Sequence, residues 1–167
     1  MSKVVFSILV DNTPGVLNRV SNLFSRRGYN IDSLTVGETH DPEVSRITVA
    51  VSGDHIILEQ IEKQLAKLEN VRGIVKLKDG ESVCRELILV KVAATAKERQ
   101  AIIAVADIFR AKIVDVATDS LMVELTGNQA KIDAFINLLA GYEIIELVRT
   151  GITGLVRGSG DIADYID

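Results

Sequence analysis

The chain has 167 residues, 47% of them hydrophobic and only 4% aromatic, with 19 basic and 23 acidic side chains for a net charge of -4. Residues 1–80 carry 10 basic and 10 acidic groups and residues 81–167 carry 9 and 13, so the excess negative charge lies in the second half. This composition allows one ordinary domain or two small ones, and it lacks the basic face of a nucleic-acid binder. The single cysteine, Cys84, excludes an internal disulfide framework and fits a reducing cytoplasm. The opening Met-Ser-Lys-Val leads into a short apolar run broken by Asp11, which fits neither a signal peptide nor a membrane span. A soluble, cytoplasmic protein is expected.

Val4 to Val10 is apolar and rich in β-branched residues, which predicts a buried strand. Val16, Leu17, Val20, Leu23 and Phe24 then recur at helical spacing. Between them, Asp11-Asn12-Thr13-Pro14-Gly15 forms a turn in which Thr13 suits the N-cap and Pro14 the first helical position. The free N–H groups of such a helix start, and its positive dipole end, welcome a carboxylate. Gly15, without a side chain, lets a small ligand approach the backbone. Pro-Gly after a strand is also ordinary turn chemistry, and Asn12 also fits bonding to its own backbone.

Gly28 is placed to end the helix, and residues 30–39 read as a second strand. His40-Asp41-Pro42-Glu43 is a polar turn. In residues 44–52, Ile47, Val49 and Val51 alternate with Arg46, Thr48 and Ala50, which predicts a half-buried strand. Asp54 caps a helix with Leu58, Ile61, Leu65 and Leu68 along one face, and residues 71–78 close the set. Residues 79–86 break the apolar pattern and read as a linker.

The order then repeats. Leu87–Val92 is a strand, and Thr95-Ala96-Lys97-Glu98 is a capping box before a helix with Ile102, Val105, Ala106 and Phe109 inward. Ile113–Val116 and Leu121–Leu125 are short strands. Asn128 caps a helix with Ile132, Phe135, Ile136 and Leu139 inward, ended by Gly141, and Ile144–Val148 is the last strand. The glycine-rich tail from Gly151 reads as loosely packed. The fold class is α+β, with two ferredoxin-like βαββαβ units in tandem, 1–79 and 80–167. Units this small gain stability by pairing with another copy, so a two-fold dimer is expected.

Catalytic chemistry is sparse. His40 and His55 read as surface residues with no partner at ligand spacing, so no metal site is expected. Cys84 has no neighbouring base to activate it, and Gly158-Ser159-Gly160 fits neither a P-loop nor a nucleophile elbow. An RNA-recognition domain needs aromatic residues on its central strands, and Val44–Val51 has none. A metallochaperone of this topology needs paired cysteines in the first loop, and Asn12–Gly15 has none. A small-ligand sensor or a protein–protein module remains.

Leu9-Val10-Asp11-Asn12-Thr13-Pro14-Gly15-Val16-Leu17-Asn18-Arg19-Val20 resembles the opening of an ACT domain. Leu23-Phe24-Ser25-Arg26-Arg27-Gly28-Tyr29-Asn30-Ile31-Asp32 is similar to the small, regulatory subunits of acetolactate synthase (acetohydroxyacid synthase). Ile108-Phe109-Arg110-Ala111-Lys112-Ile113-Val114-Asp115-Val116 and the stretch Arg149–Gly158 resemble the C-terminal domain of that family. The resemblance implies an ACT domain at 1–79 for amino-acid sensing and dimerisation, and a domain at 80–167 for partner contact. It implies no active site, metal or cofactor in this chain. Thiamine diphosphate, Mg and FAD are expected in a large catalytic subunit. That partner would be activated by this chain and inhibited by valine, at the head of branched-chain amino acid biosynthesis. Valine would sit between two ACT domains, with Asn12 and Gly15, beside Val16, from one chain and Asn30 and Ile31 from the other. An ACT regulator of another enzyme or of transcription is the alternative.

Overall fold

The computed structural model describes residues 2–162. Two compact units are present, one comprising the chain to Cys84 together with the residues from Ile152, the other Arg85–Gly151.

The first unit contains β1 (Ser2–Asp11), α1 (Val16–Arg26), β2 (Ile31–Glu38), β3 (Val44–Gly53), α2 (His55–Ala66) and β4 (Val71–Lys76). Its antiparallel sheet has the order β2-β3-β1-β4, the ferredoxin-like arrangement that the sequence predicts. Phe6, Ile8 and Val10 of β1 and Ile47, Val49 and Val51 of β3 meet Val16, Val20 and Phe24 of α1 and Leu58, Ile61 and Leu65 of α2 in one core. α2 is capped as expected, with the Ile56 N–H donating to Asp54 Oδ1 at 2.9 Å. α1 ends in a Schellman motif: Gly28 takes φ +71, its N–H bonds Ser25 O, and the Tyr29 N–H bonds Phe24 O.

Three expectations are corrected in this unit. β3 is buried on both faces, because Thr48 and Ala50 are covered as well as Ile47, Val49 and Val51 on the opposite side. The tail is the reason. It is ordered among the described residues, forming β9 (Thr153–Val156) beside the start of β5 (Ser82–Ala93), and Ile152 and Ile162 are buried. Ile152 is held by β2, its N–H donating to Ser33 Oγ at 3.4 Å and its carbonyl accepting from Thr35 Oγ1 at 3.5 Å. Ser33 and Thr35 are paired with Ala50 and Thr48, so the tail occupies the sheet face away from the helices. Residues 79–86 are, likewise, mostly not a linker. Gly80 turns the chain at φ +81, Ser82 Oγ donates to Lys78 O at 2.7 Å, and β5 has begun. The compact units therefore divide after Cys84 rather than at 79/80, and the second does not continue to the chain end. Ile152→Ala removes buried aliphatic volume under this segment and is expected to destabilise the first unit by about 2 kcal/mol, read by urea unfolding. An unchanged midpoint would mean that the tail adds nothing to that sheet.

The second unit holds β5 from Arg85, α3 (Ala96–Ile108), β6 (Lys112–Val116), β7 (Ser120–Gly127), α4 (Gln129–Leu138) and β8 (Ile144–Arg149). Its order β6-β7-β5-β8 repeats that of the first unit. Ile88, Val90 and Val92 of β5 pack with Leu121, Val123 and Leu125 of β7 and with Ile102, Ala106, Ile132 and Phe135 of the helices. The capping box of α3 is complete: the Glu98 N–H donates to Thr95 Oγ1, and the Thr95 N–H to Glu98 Oε1, both at 3.2 Å. Arg110 ends α3 at φ +57, the position that glycine usually takes, while Ala111 N–H reaches back to Ala106 O. Glu86 is buried because Arg149 grips it with two hydrogen bonds, Nη2 to Oε2 at 2.8 Å and Nε to Oε1 at 3.2 Å. Among the described residues no helix is long and apolar enough to cross a membrane.

Candidate functional site

The turn between β1 and α1 differs from its predicted form in a way that matters chemically. Thr13 is exposed and does not cap the helix. Gly15 occupies the N-cap position at φ +86, its carbonyl accepts the first helical bond from the Arg19 N–H, and no side chain bonds the first turn. The reason is local: a left-handed glycine turns the chain into the helix in one step, which places Pro14 in the turn and Thr13 outside it. The N–H groups at the start of α1 therefore project without a capping oxygen at the positive end of the helix. No atom lies within 4 Å of where a Gly15 Cβ would stand, so the approach is open. Val16 is buried in the core and anchors the turn from below.

A polar network fixes the turn from both sides. The Asn12 N–H donates to Glu43 O at 2.8 Å, and its Nδ2 donates to Pro42 O at 2.9 Å and Glu38 Oε1 at 3.2 Å. With both amide hydrogens engaged, Asn12 presents its Oδ1, an acceptor. Asp11 accepts from Arg72 Nε at 2.6 Å and Asn70 Nδ2 at 3.2 Å, and Asn70 in turn accepts from Arg19 of α1. The Arg72 hydrogen bond, followed by that from Asn70, holds the Asp11 carboxyl below its ordinary value of 3.8. A depressed carboxyl pKa contributes stability above the unfolded-state value that is lost as pH falls through the folded-state one. Arg72→Gln is expected to move the Asp11 titration upward, followed by NMR of its side-chain carbon. An unmoved titration would remove Arg72 from this role.

Asn30 and Ile31 are not beside Asn12 and Gly15 in the same chain. Ile31 pairs with Val51, which pairs with Val4, whereas Asp11 pairs with Val44. Seven residues along β3 separate these two levels, roughly 23 Å at the rise of an antiparallel strand. The two sets stand at opposite ends of the sheet. Asn30 is exposed, and Ile31 is half-buried against the core at the start of the edge strand β2. Glu38, at the other end of β2, is the residue that Asn12 bonds. Sequence reasoning did not find Glu38, Pro42, Asn70 and Arg72, because their link to the turn is made only by strand pairing.

Among the described residues no three of His, Cys, Asp and Glu gather as metal ligands. His40 is exposed, and His55, 77% exposed at its side chain, stands 4.0 Å from Glu59 on the same helix.

This open turn on a ferredoxin-like unit matches a known family over both halves of the chain. Residues 6–73 match the AHAS small subunit-like ACT domain, and residues 85–158 match the small subunit of acetolactate synthase. The chain belongs to the acetolactate synthase small-subunit family. A probable acetolactate synthase small subunit of Methanothermobacter thermautotrophicus is 50% identical over 156 residues, covering 93% of each chain. The acetolactate synthase small subunit of Mycolicibacterium smegmatis is 50% identical over 152 residues, 91% of this chain and 89% of the relative. In three dimensions the acetolactate synthase small subunit of Thermotoga maritima superposes with a TM-score of 0.86 at 41% identity, over 96% of this chain and all of that one. The tandem α+β architecture is thus that of an acetolactate synthase small subunit, with an ACT domain first.

Proposed function

We propose that this chain is the non-catalytic regulatory subunit of acetolactate synthase, which activates a thiamine-diphosphate-dependent large subunit and makes it sensitive to valine. The observation that carries this reading is the uncapped start of α1 behind a left-handed Gly15. A ligand carboxylate accepts N–H bonds there, where the dipole favours it. Asn12 Oδ1 accepts from the ligand ammonium, since its own amide hydrogens are engaged by Glu38 and Pro42. Ile31 of a second copy packs on the isopropyl group, with Asn30 beside the polar end.

The two-chain character of the site is supported by the strand register. β2 is an edge strand. Antiparallel pairing of two β2 edges about a two-fold axis sets Ile31 of one copy opposite the Glu38 end of the other. Glu38 holds Asn12, so this pairing joins the two halves that a single chain keeps apart. Ligand binding then tightens the dimer, and only a difference in valine affinity between two arrangements alters the catalytic partner. The second unit is assigned to partner contact. Thiamine diphosphate, Mg and FAD belong to that partner, and the cytoplasm is the compartment of this metabolism.

Calorimetric titration with L-valine, with leucine and isoleucine as comparisons, tests the reading. Saturable binding at one or fewer ligands per chain is the expected result. No heat with the chain alone or with the large subunit present would overturn it.

A further inference from the structure

The first unit contains a second concave region, on the sheet face away from α1 and α2. A cavity of about 430 Å³ lies between Leu9, Arg46, Val75 and Leu77 on the sheet side and Val156 and Ile162 of the tail. That volume is within the range of small-ligand sites. Its walls are aliphatic, and Arg46 is the basic side chain among its apolar sheet residues. The Arg46 guanidinium donates to Ser7 Oγ, a hydroxyl that is itself completely buried. One such bond leaves most of the five guanidinium donors for other acceptors. Burial lowers the Arg46 pKa, and the Asp161 carboxylate acts in the opposite sense, which places a negative group on the tail side of the cavity. Asp41, whose Oδ1 accepts from the Glu43 N–H, and His40 stand at the turn that closes one side. Along the same sheet face, Thr48 Oγ1 is buried without a hydrogen-bond partner among the described residues, an uncommon state for a buried hydroxyl.

We propose that this cavity is a second ligand site, distinct from the α1 turn, and that it takes a small aliphatic α-amino acid. The carboxylate pairs with Arg46, in the charge-assisted, planar geometry to which a guanidinium is suited. The α-ammonium faces the acidic tail side at Asp161, and the aliphatic side chain lies on Leu9, Val75 and Leu77. A plain anion fits less well, because the cavity already carries the Asp41 and Asp161 carboxylates against a single arginine. A zwitterion satisfies both signs and leaves the apolar wall for its side chain. The turn from Thr39 to Glu43 borders this cavity and also accepts two of the three bonds that fix Asn12, so an occupant here touches the segment that orients the α1 turn.

The test is methyl NMR on the full chain with labelled Ile, Leu and Val, titrated with L-leucine and separately with 4-methylpentanoate. L-leucine is expected to give saturable shifts at Leu9, Val75, Leu77 and Ile162, with 4-methylpentanoate about tenfold weaker for want of the ammonium. Arg46→Gln keeps a donor for Ser7 and loses the charge, and it should weaken binding at these methyls about tenfold or more. Arg46→Lys should recover part of it. Unshifted signals of Ile61 and Leu65, in the first unit's core on the helix side of its sheet, show that the variants remain folded. Signals at Val16 and Ile31 report the α1 turn separately, so failure of that site and failure of this one are distinguishable. Absence of shifts at the four cavity methyls, or an identical titration in Arg46→Gln, would overturn the proposal.

Discussion

Gly15→Asp is expected to abolish valine binding and the valine response of the assembled enzyme, with affinity falling about 100-fold or more. In the proposed site the added carboxylate would stand where the ligand carboxylate meets the uncapped helix start, and like charges so placed cost several kcal/mol. Sterics alone do not produce this result, since nothing lies within 4 Å of the new Cβ. The backbone contributes a smaller penalty, because φ is +86 and a side chain there costs roughly 1–2 kcal/mol. Gly15→Asn separates the two effects: it has nearly the same shape and tolerates left-handed backbone, but carries no charge. Calorimetry on the pair should show Asn retaining far more affinity than Asp. Equal losses would mean that backbone strain, not the carboxylate, decides the outcome. An undiminished response in the Asp variant would move the ligand away from this turn.

The largest stability effect is expected at Arg149→Met. Glu86 is 5% exposed, and its carboxylate is held by two bonds from Arg149, which also reaches Asp133 of α4 at 3.3 Å. Removing the cation leaves a buried, uncompensated carboxylate at the strand that carries the second core, at a cost of about 3 kcal/mol. The Glu86 hydrogen bond is also the chief reason that Arg149 is held above its ordinary pKa, so the guanidinium stays charged. Urea unfolding followed by the Ile102 and Ile132 methyl signals measures the loss. The double variant Glu86→Leu with Arg149→Met should recover much of it, since a matched apolar pair removes the unsatisfied charge. A double variant no more stable than Arg149→Met would show that the pair contributes through packing of its side-chain stems.

The repeated βαββαβ order was legible because its signals are local. Apolar residues at the period of two in Val44–Val51 and at helical spacing in Val16–Phe24 report which face of each element meets a core. The caps at Asp54, Thr95 and Asn128 were read correctly for the same reason, since a cap is made within four residues of itself. Thr13 failed as a cap because a competing local solution existed: glycine at φ +86 starts the helix two residues later and needs no side-chain oxygen. The linker at 79–86 was overextended because charged residues there read as solvent-exposed. Glu86 is buried by an ion pair with Arg149, 63 residues away, and no local pattern reveals such a partner.

By itself, the sequence determined the two cores, the strand order implied by them, the family, and the turn on which a ligand reading rests. Each depends on neighbours within one or two elements, where periodicity, capping and glycine placement act. Only the tertiary structure decided that the tail folds back to cover the second face of the first sheet. Its strand, Thr153–Val156, is short and glycine-bearing, and it is stable only because β5 and the sheet receive it. The tertiary structure also decided that Asn12 and Ile31 lie at opposite ends of a single chain's sheet, because register is a property of paired strands rather than of either strand alone.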